Sequence, residues 1–152
     1  MTDPPFVPDG FTVPGGLETP AFRLEPLGPQ HNDSDHAAWT SSIAHIRTTP
    51  GFEGRDWPPL EGMSLEENRA DLEGHARDFA ERTGFTYTVL APDRDEVIGC
   101  VYLYPARDGE HDARAVAWVR ADVAELDAEL FRVVSRWLAE AWPFERVLYA
   151  PR

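Results

Sequence analysis

The chain has 152 residues, the size of one domain, and its 42% hydrophobic content is enough for a packed core. Fourteen basic against 27 acidic residues leave a net charge of −13, which repels phosphate backbones and anionic lipid and argues against nucleic-acid and membrane-surface partners. Every basic residue is arginine, so lysine chemistry is excluded; the single Cys100 allows no internal disulfide; and no apolar run nears the roughly 18–20 residues of a membrane span, so the expectation is a cytoplasmic protein.

Residues 1–20 contain five prolines and read as an extended arm, set apart from a domain over residues 21–152. Phe6, Val7, Phe11 and Val13 in that arm imply that it lies on a surface. Phe22-Arg23-Leu24-Glu25 alternates with the period of a half-buried strand and stops at Pro26 and Gly28-Pro29. Asn32-Asp33-Ser34-Asp35 offers N-caps for a helix through Arg47, with Trp39, Ile43 and Ile46 on one face. A loop over residues 51–62 holds Trp57, and Ser64 followed by Glu67 forms a capping box for a helix that runs to Arg82, with Gly84 as its stop. Residues 85–90 and 97–104 are β-branched and aromatic around the turn Pro92-Asp93-Arg94-Asp95, and residues 113–120 add a third strand to this meander. Leu126, Leu130, Val133, Val134, Trp137, Leu138 and Ala141 form one stripe of a helix over residues 122–142, and residues 146–150 make a last strand. A strand, a helix and a strand in that order imply a parallel pair with a right-handed crossover. The class is α/β: a mixed sheet with an antiparallel meander plus one parallel β-α-β pair, helices packed on it.

Helical spacing gathers Leu65, Asn68, Leu72, His75 and Phe79 on one face, where Asn68 and His75 are either hydrogen-bonded core members or pocket lining. Trp39, on a face with His36 and Ile43, is either core or the roof of a cavity, and Tyr102 and Tyr104 point to the same side of their strand as Ile98 and Cys100. Trp39, Asn68, His75 and Tyr102 are therefore the substrate-pocket candidates. The run from His31 to His36 has metal-ligand residue types that a capped helix start explains, so no metal is expected, and Cys100 in mid-strand reads as a small buried hydrophobe.

The order of elements over residues 22–150, with the segments Phe22-Arg23-Leu24-Glu25-Pro26-Leu27, Val97-Ile98-Gly99-Cys100-Val101-Tyr102-Leu103 and Ala117-Trp118-Val119-Arg120, resembles the Gcn5-related N-acetyltransferase (GNAT) superfamily, as a divergent and C-terminally short member. The resemblance implies an acetyl-CoA cofactor and an amine acceptor. It also implies that the acyl-pantetheine arm enters a gap between the strand over residues 113–120 and the final strand, against the main chain of Trp118, Val119 and Arg120. The family's glycine-containing phosphate turn is here Ala121-Asp122-Val123-Ala124-Glu125-Leu126-Asp127, with no glycine and three carboxylates, so the pyrophosphate loop is degenerate. Those acids read as caps for the helix that follows. The family's further C-terminal helix, with its acid tyrosine, has no counterpart before Arg152. The last strand is then a sheet edge, to be covered by a homodimer or by the proline-rich arm. Two functions follow: an acyl-CoA-dependent N-acetyltransferase-like protein acting on a small-molecule amine, or a non-catalytic GNAT-like module that binds a small ligand or a protein.

Overall fold

The structure is a computed structural model and describes residues 4–152. Six strands form one sheet in chain order: β1 (Leu17–Glu18), β2 (Arg23–Pro26), β3 (Phe85–Leu90), β4 (Val97–Pro105), β5 (Ala113–Val119) and β6 (Val147–Tyr149). Neighbours pair antiparallel except β5 and β6, which run parallel, so the helix between them is the crossover. The mixed sheet and its single parallel pair are those expected from the order of elements.

The helices are α1 (Asn32–Thr40), α2 (Ile43–Arg47), α3 (Leu65–Glu81) and α4 (Asp127–Ala141). Their boundaries correct the sequence reading in three places. The helix expected through Arg47 breaks at Ser42, whose backbone leaves the helical region (φ −132, ψ 18) and whose buried hydroxyl accepts a 2.8 Å bond from Ala121 N–H, tying α1 and α2 to the end of β5. Helix α3 starts at the expected capping box, Ser64 Oγ accepting from Glu67 N–H and Glu67 Oε1 from Ser64 N–H, and it ends at Arg82 as expected, but the left-handed residue that stops it is Arg82 itself (φ 62) and not Gly84. Gly84 serves packing instead of helix termination. A Cβ there would stand 2.0 Å from the Tyr104 ring, so the glycine makes room for that side chain. The crossover is a 3-10 segment over Ala121–Leu126 followed by α4, because Val123 departs from helical geometry (φ −125, ψ 33).

Helices α1 to α3 cover one face of the sheet, where Leu27, Trp39, Ile46, Phe52, Leu72, Cys100 and Trp118 are buried together. The amphipathic stripe of α4 covers the other face, packing Leu130, Val134, Trp137 and Leu138 on Val101, Leu103, Ala115 and Ala117. A register shift between Val89 and Leu90 turns Ile98 to this α4 face while Val97 joins Cys100 on the other, so Ile98 does not share the side of Cys100 as plain alternation predicts.

The described part of the arm is docked. Val7 is 1% exposed, Phe6 stacks on Phe85 and Phe144, Tyr87 Oη donates to Pro14 O (2.6 Å), and Arg82 donates to Pro8 O and Phe11 O. Two of these three acceptors are proline carbonyls. The arm pairs with the sheet through β1 on β2, at the edge opposite β6, so among the described residues it does not cover the β6 edge. Residues 1–3 of the arm lie outside the described residues.

Candidate functional site

A cavity of about 810 Å³ opens on the face covered by α1 to α3. Its floor is the side chains that β4 and β5 send to that face, Tyr102 and Tyr104 from one and Arg114 and Val116 from the other, which lie opposite each other in register. Asp71 and His75 come from α3, and the loop after α2 contributes Phe52, Arg55 and Trp57. The loop is held by Arg47, which donates to Pro58 O at 2.7 Å, and by Arg114, which donates to Gly51 O at 3.1 Å. Three rings meet in the wall: Phe52 and Trp57 at 6.0 Å, Trp57 and Tyr102 at 6.1 Å, and Phe52 and Tyr102 at 6.3 Å between centroids.

His75 sits where α3 faces β3 and β4. Its Nδ1 is 3.0 Å from Tyr104 Oη and 3.0 Å from Thr86 Oγ1. Tyr104 Oη donates its own proton to Asp78 Oδ2 at 2.8 Å, so toward His75 it can only accept. The proton in that contact therefore belongs to Nδ1, and the lone pair of the neutral ring belongs to Nε2, which has Asp71 Oδ2 at 3.9 Å. Burial pulls the His75 pKa below its ordinary value, against the opposing charges of Asp71 and Asp78. Burial and then the bond to Asp78 push the Tyr104 phenol up, so it stays a protonated donor. The arrangement yields a neutral imidazole with an available nitrogen, beside a carboxylate that stabilises the cation once it forms.

His75 and Tyr102 thus line the cavity, whereas Trp39 and Asn68 do not. Both are fully buried, and Trp39 stands behind the wall, its ring 5.4 Å from Trp57. Asn68 Oδ1 accepts from Trp39 Nε1–H (2.9 Å), and its Nδ2 donates to Asn32 Oδ1 (2.8 Å) and Asp35 Oδ2 (3.0 Å). This hub joins α1 to α3, and burial within it pushes the Asp35 carboxyl up to about 6. The expected N-caps of α1 are consumed in the same way: Asn32 donates to Leu65 O and Ser34 Oγ accepts from Val97 N–H, so they bind other elements and no side chain caps the helix.

The second feature is the edge of β5. Strand β6 pairs only with Ala113, Arg114 and Ala115, and the two strands part beyond them. Arg120 N–H bonds to Ile98 O, so by the alternation of an antiparallel ladder the main chain of Trp118 and Arg120 faces β4, while Ala117 and Val119 face the side that β6 leaves. Of Trp118, Val119 and Arg120, Val119 thus turns its main chain toward the gap, beside Ala117, while Trp118 and Arg120 have their peptide groups committed to hydrogen bonds. The Trp118 ring is fully buried and donates to Tyr102 Oη at 3.0 Å.

Arg152 enters the parting of the strands. Its side chain, 5% exposed, donates to Ala117 O (2.8 Å), Asp127 Oδ2 (2.6 Å), Ala150 O (2.8 Å) and Pro50 O (3.3 Å). Asp127 Oδ1 and Tyr149 Oη are buried nearby with no partner. Two of the three acids between β5 and α4 are ion-paired and not capping: Asp122 takes a two-pronged contact from Arg120, Asp127 pairs with Arg152, and no side chain caps α4. Asp127 still lies in the first turn of α4, where its charge complements the helix dipole.

Sequence reasoning missed Phe52, Arg55, Asp71, Arg114 and Arg152. The first two belong to a loop without periodicity, Asp71 lies off the apolar stripe of α3, and the arginines look like ordinary surface charges until the register places them. Asp108, Glu110 and His111 gather in an exposed turn in which Asp108 Oδ1 accepts from the amides of Glu110 and His111, so the turn accounts for them.

No protein-family model matches the sequence, and neither does any curated protein. Solved structures do match in fold. The ribosomal-protein-S5-alanine acetyltransferase from Vibrio fischeri superposes with a TM-score of 0.62 at 11% identity, covering 83% of this chain and 68% of that one. A microcin C7 self-immunity acetyltransferase in complex with acetyl-CoA and AMP gives 0.63 at 11% identity, over 84% and 67%. A ribosomal L7/L12 alpha-N-protein acetyltransferase in complex with coenzyme A gives 0.60 at 14% identity, over 80% and 66%. The chain spans about two thirds of the length of these proteins. With its meander, its parting parallel pair and its helices on both faces, the chain has the fold of the Gcn5-related N-acetyltransferases.

Proposed function

We propose that the protein is an acyl-CoA-dependent N-acetyltransferase-like enzyme with a degenerate pyrophosphate loop, acting on a small-molecule amine held in the 810 Å³ cavity. The observation that carries this reading is adjacency: the cavity floor includes Val116, and the next residue, Ala117, offers its main chain to the gap between β5 and β6. The peptide groups of Ala117 and Val119 and the unpartnered Asp127 Oδ1 and Tyr149 Oη suit the amides of a pantetheine arm. The diphosphate end lacks a cradle. It has no glycine, Val123 N–H already donates to Arg120 O, and carboxylates occupy the approach. Bound acyl-CoA would supply the acyl group. His75 Nε2 takes the proton that an amine sheds on acylation, Tyr104 and Thr86 hold Nδ1–H in place, and Asp71 stabilises the imidazolium.

The test is calorimetric titration of the full chain with acetyl-CoA at moderate salt. Micromolar binding is the expected result, and no binding up to millimolar concentration overturns the reading.

One observation favours a second reading, a non-catalytic module that uses the cavity alone: Arg152 already fills the gap and occupies the Ala117 carbonyl. Arg152→Ala decides between them. Under the first reading acetyl-CoA binds the variant at least as well as the parent, and under the second it binds neither. We extend the first reading to a homodimer across the three-residue β6, where Leu148 is 39% exposed at a sheet edge. Sedimentation as a monomer at high concentration removes that extension.

A further inference from the structure

Three arginines converge on the cavity of a protein whose net charge is −13. Arg55, Arg107 and Arg114 all line it, and among the described residues none of them has a carboxylate within ion-pairing distance, although Arg23, Arg94, Arg120 and Arg152 elsewhere are paired. Arg114 is half-buried, with one bond from its guanidinium to Gly51 O. Burial and the positive charge of Arg55 both act against its own charge. Two guanidiniums that repel each other, in a protein with 27 carboxylates to choose from, form a site that gains from an anion arriving with a ligand. The remaining wall is flat and aromatic, Phe52, Trp57 and Tyr102, and the volume is that of a pocket for a small organic molecule. His75 Nε2 and Asp71 add an acceptor and a negative charge that draw an amine, and Asp56, which also lines the cavity, makes no ion pair with the three arginines.

We propose that the substrate of this cavity is a small aromatic amine that also carries an oxyanion, its ring against Phe52, Trp57 and Tyr102, its oxyanion on Arg55 and Arg114, and its amine at His75 and Asp71. This specifies the acceptor of the N-acetyltransferase reading and rests on that reading only for the acylation step. The binding claim stands by itself. Arg55 and Arg114 are specificity-determining residues, because an amine without the anion leaves their charges unanswered.

The experiment is calorimetry on the full chain without acetyl-CoA, using para-(aminomethyl)benzoate, its methyl ester, benzylamine and para-(aminomethyl)phenylphosphonate. The carboxylate or the phosphonate should bind about tenfold or more tighter than the ester and benzylamine, the worth of one charge-assisted contact. Which of the two leads tells a carboxylate acceptor from a phosphate-bearing one. Arg55→Gln, on an exposed loop, should reduce that preference by about tenfold while binding of benzylamine stays unchanged, and Arg114→Gln should reduce the preference by a similar factor. Equal binding of the ester and the acid, or an unaltered preference in Arg55→Gln, overturns the proposal. Binding of the amino acid with no binding of acetyl-CoA leaves the proposal standing and defeats the acyltransferase reading; the reverse outcome does the opposite.

Discussion

Asn68 and His75 stand two turns apart on one face of α3, both polar and both on an apolar stripe, yet they have opposite roles. Asn68 is 1% exposed and commits its amide to three partners, so nothing of it is available to a ligand. His75 has one nitrogen fixed by hydroxyls and the other beside Asp71 at the cavity wall. The difference shows that chemistry on a helix face is set by how many of a group's hydrogen bonds the fold has already taken.

Substitutions that separate the two positions probe this contrast. The largest expected effect is at His75: His75→Gln should lower acyl transfer by about a hundred- to ten-thousand-fold, the usual worth of a general base, with little change in thermal stability. An unaltered rate would remove His75 from the chemistry. In the parent the acid limb of the rate profile should lie below pH 6.5, because burial depresses the His75 pKa and the base must be neutral to act. Asn68→Ala should do the reverse, costing about 3–5 kcal/mol in denaturant unfolding by stranding Trp39 Nε1–H, Asn32 and the Asp35 carboxylate in the interior. A loss under about 1 kcal/mol would mean that the hub is wet and adaptable.

Asp35 sharpens the same contrast through pH. Its folded pKa of about 6 lies above the ordinary 3.8, so the folded state holds the proton more tightly. The stability it contributes is present below pH 3.8 and is lost as pH rises through 6. Asp35→Asn keeps an acceptor for Asn68 and should be more stable than the parent at pH 7 by about 2–3 kcal/mol, with a flatter profile between those pH values. A parent profile already flat there would place the carboxyl in water. The smallest effect belongs to Tyr104→Phe, which removes the acceptor that keeps the proton on Nδ1. The rate should fall about tenfold, one hydrogen bond's worth, and fold stability should hardly move.

The fold is legible in the sequence because its signals are local. Alternation marks the meander, the Ser64 and Glu67 pair marks the start of α3, and the stripe from Leu126 to Ala141 marks the crossover whose hand and parallel pairing follow from chain geometry. His75 and Tyr102 are legible as pocket candidates because both follow an element's periodicity. Asn68 and Trp39 share that periodicity, and only the packing of α1 against α3 decides that their hydrogen bonds close on each other. The acids before α4 resemble caps in the sequence because Arg152 is remote along the chain, so the pairing of Asp127 depends on where the chain returns after β6, whereas Asp122 pairs with Arg120 only two residues away. Composition and period thus settle which elements form and which faces they bury, since those depend on neighbours within a few residues. The free nitrogen of His75, the arginines on the cavity and the arginine in the β5–β6 gap needed the tertiary structure, because an ionisable group's role depends on the charges and lone pairs that distant segments bring within a few ångströms of it.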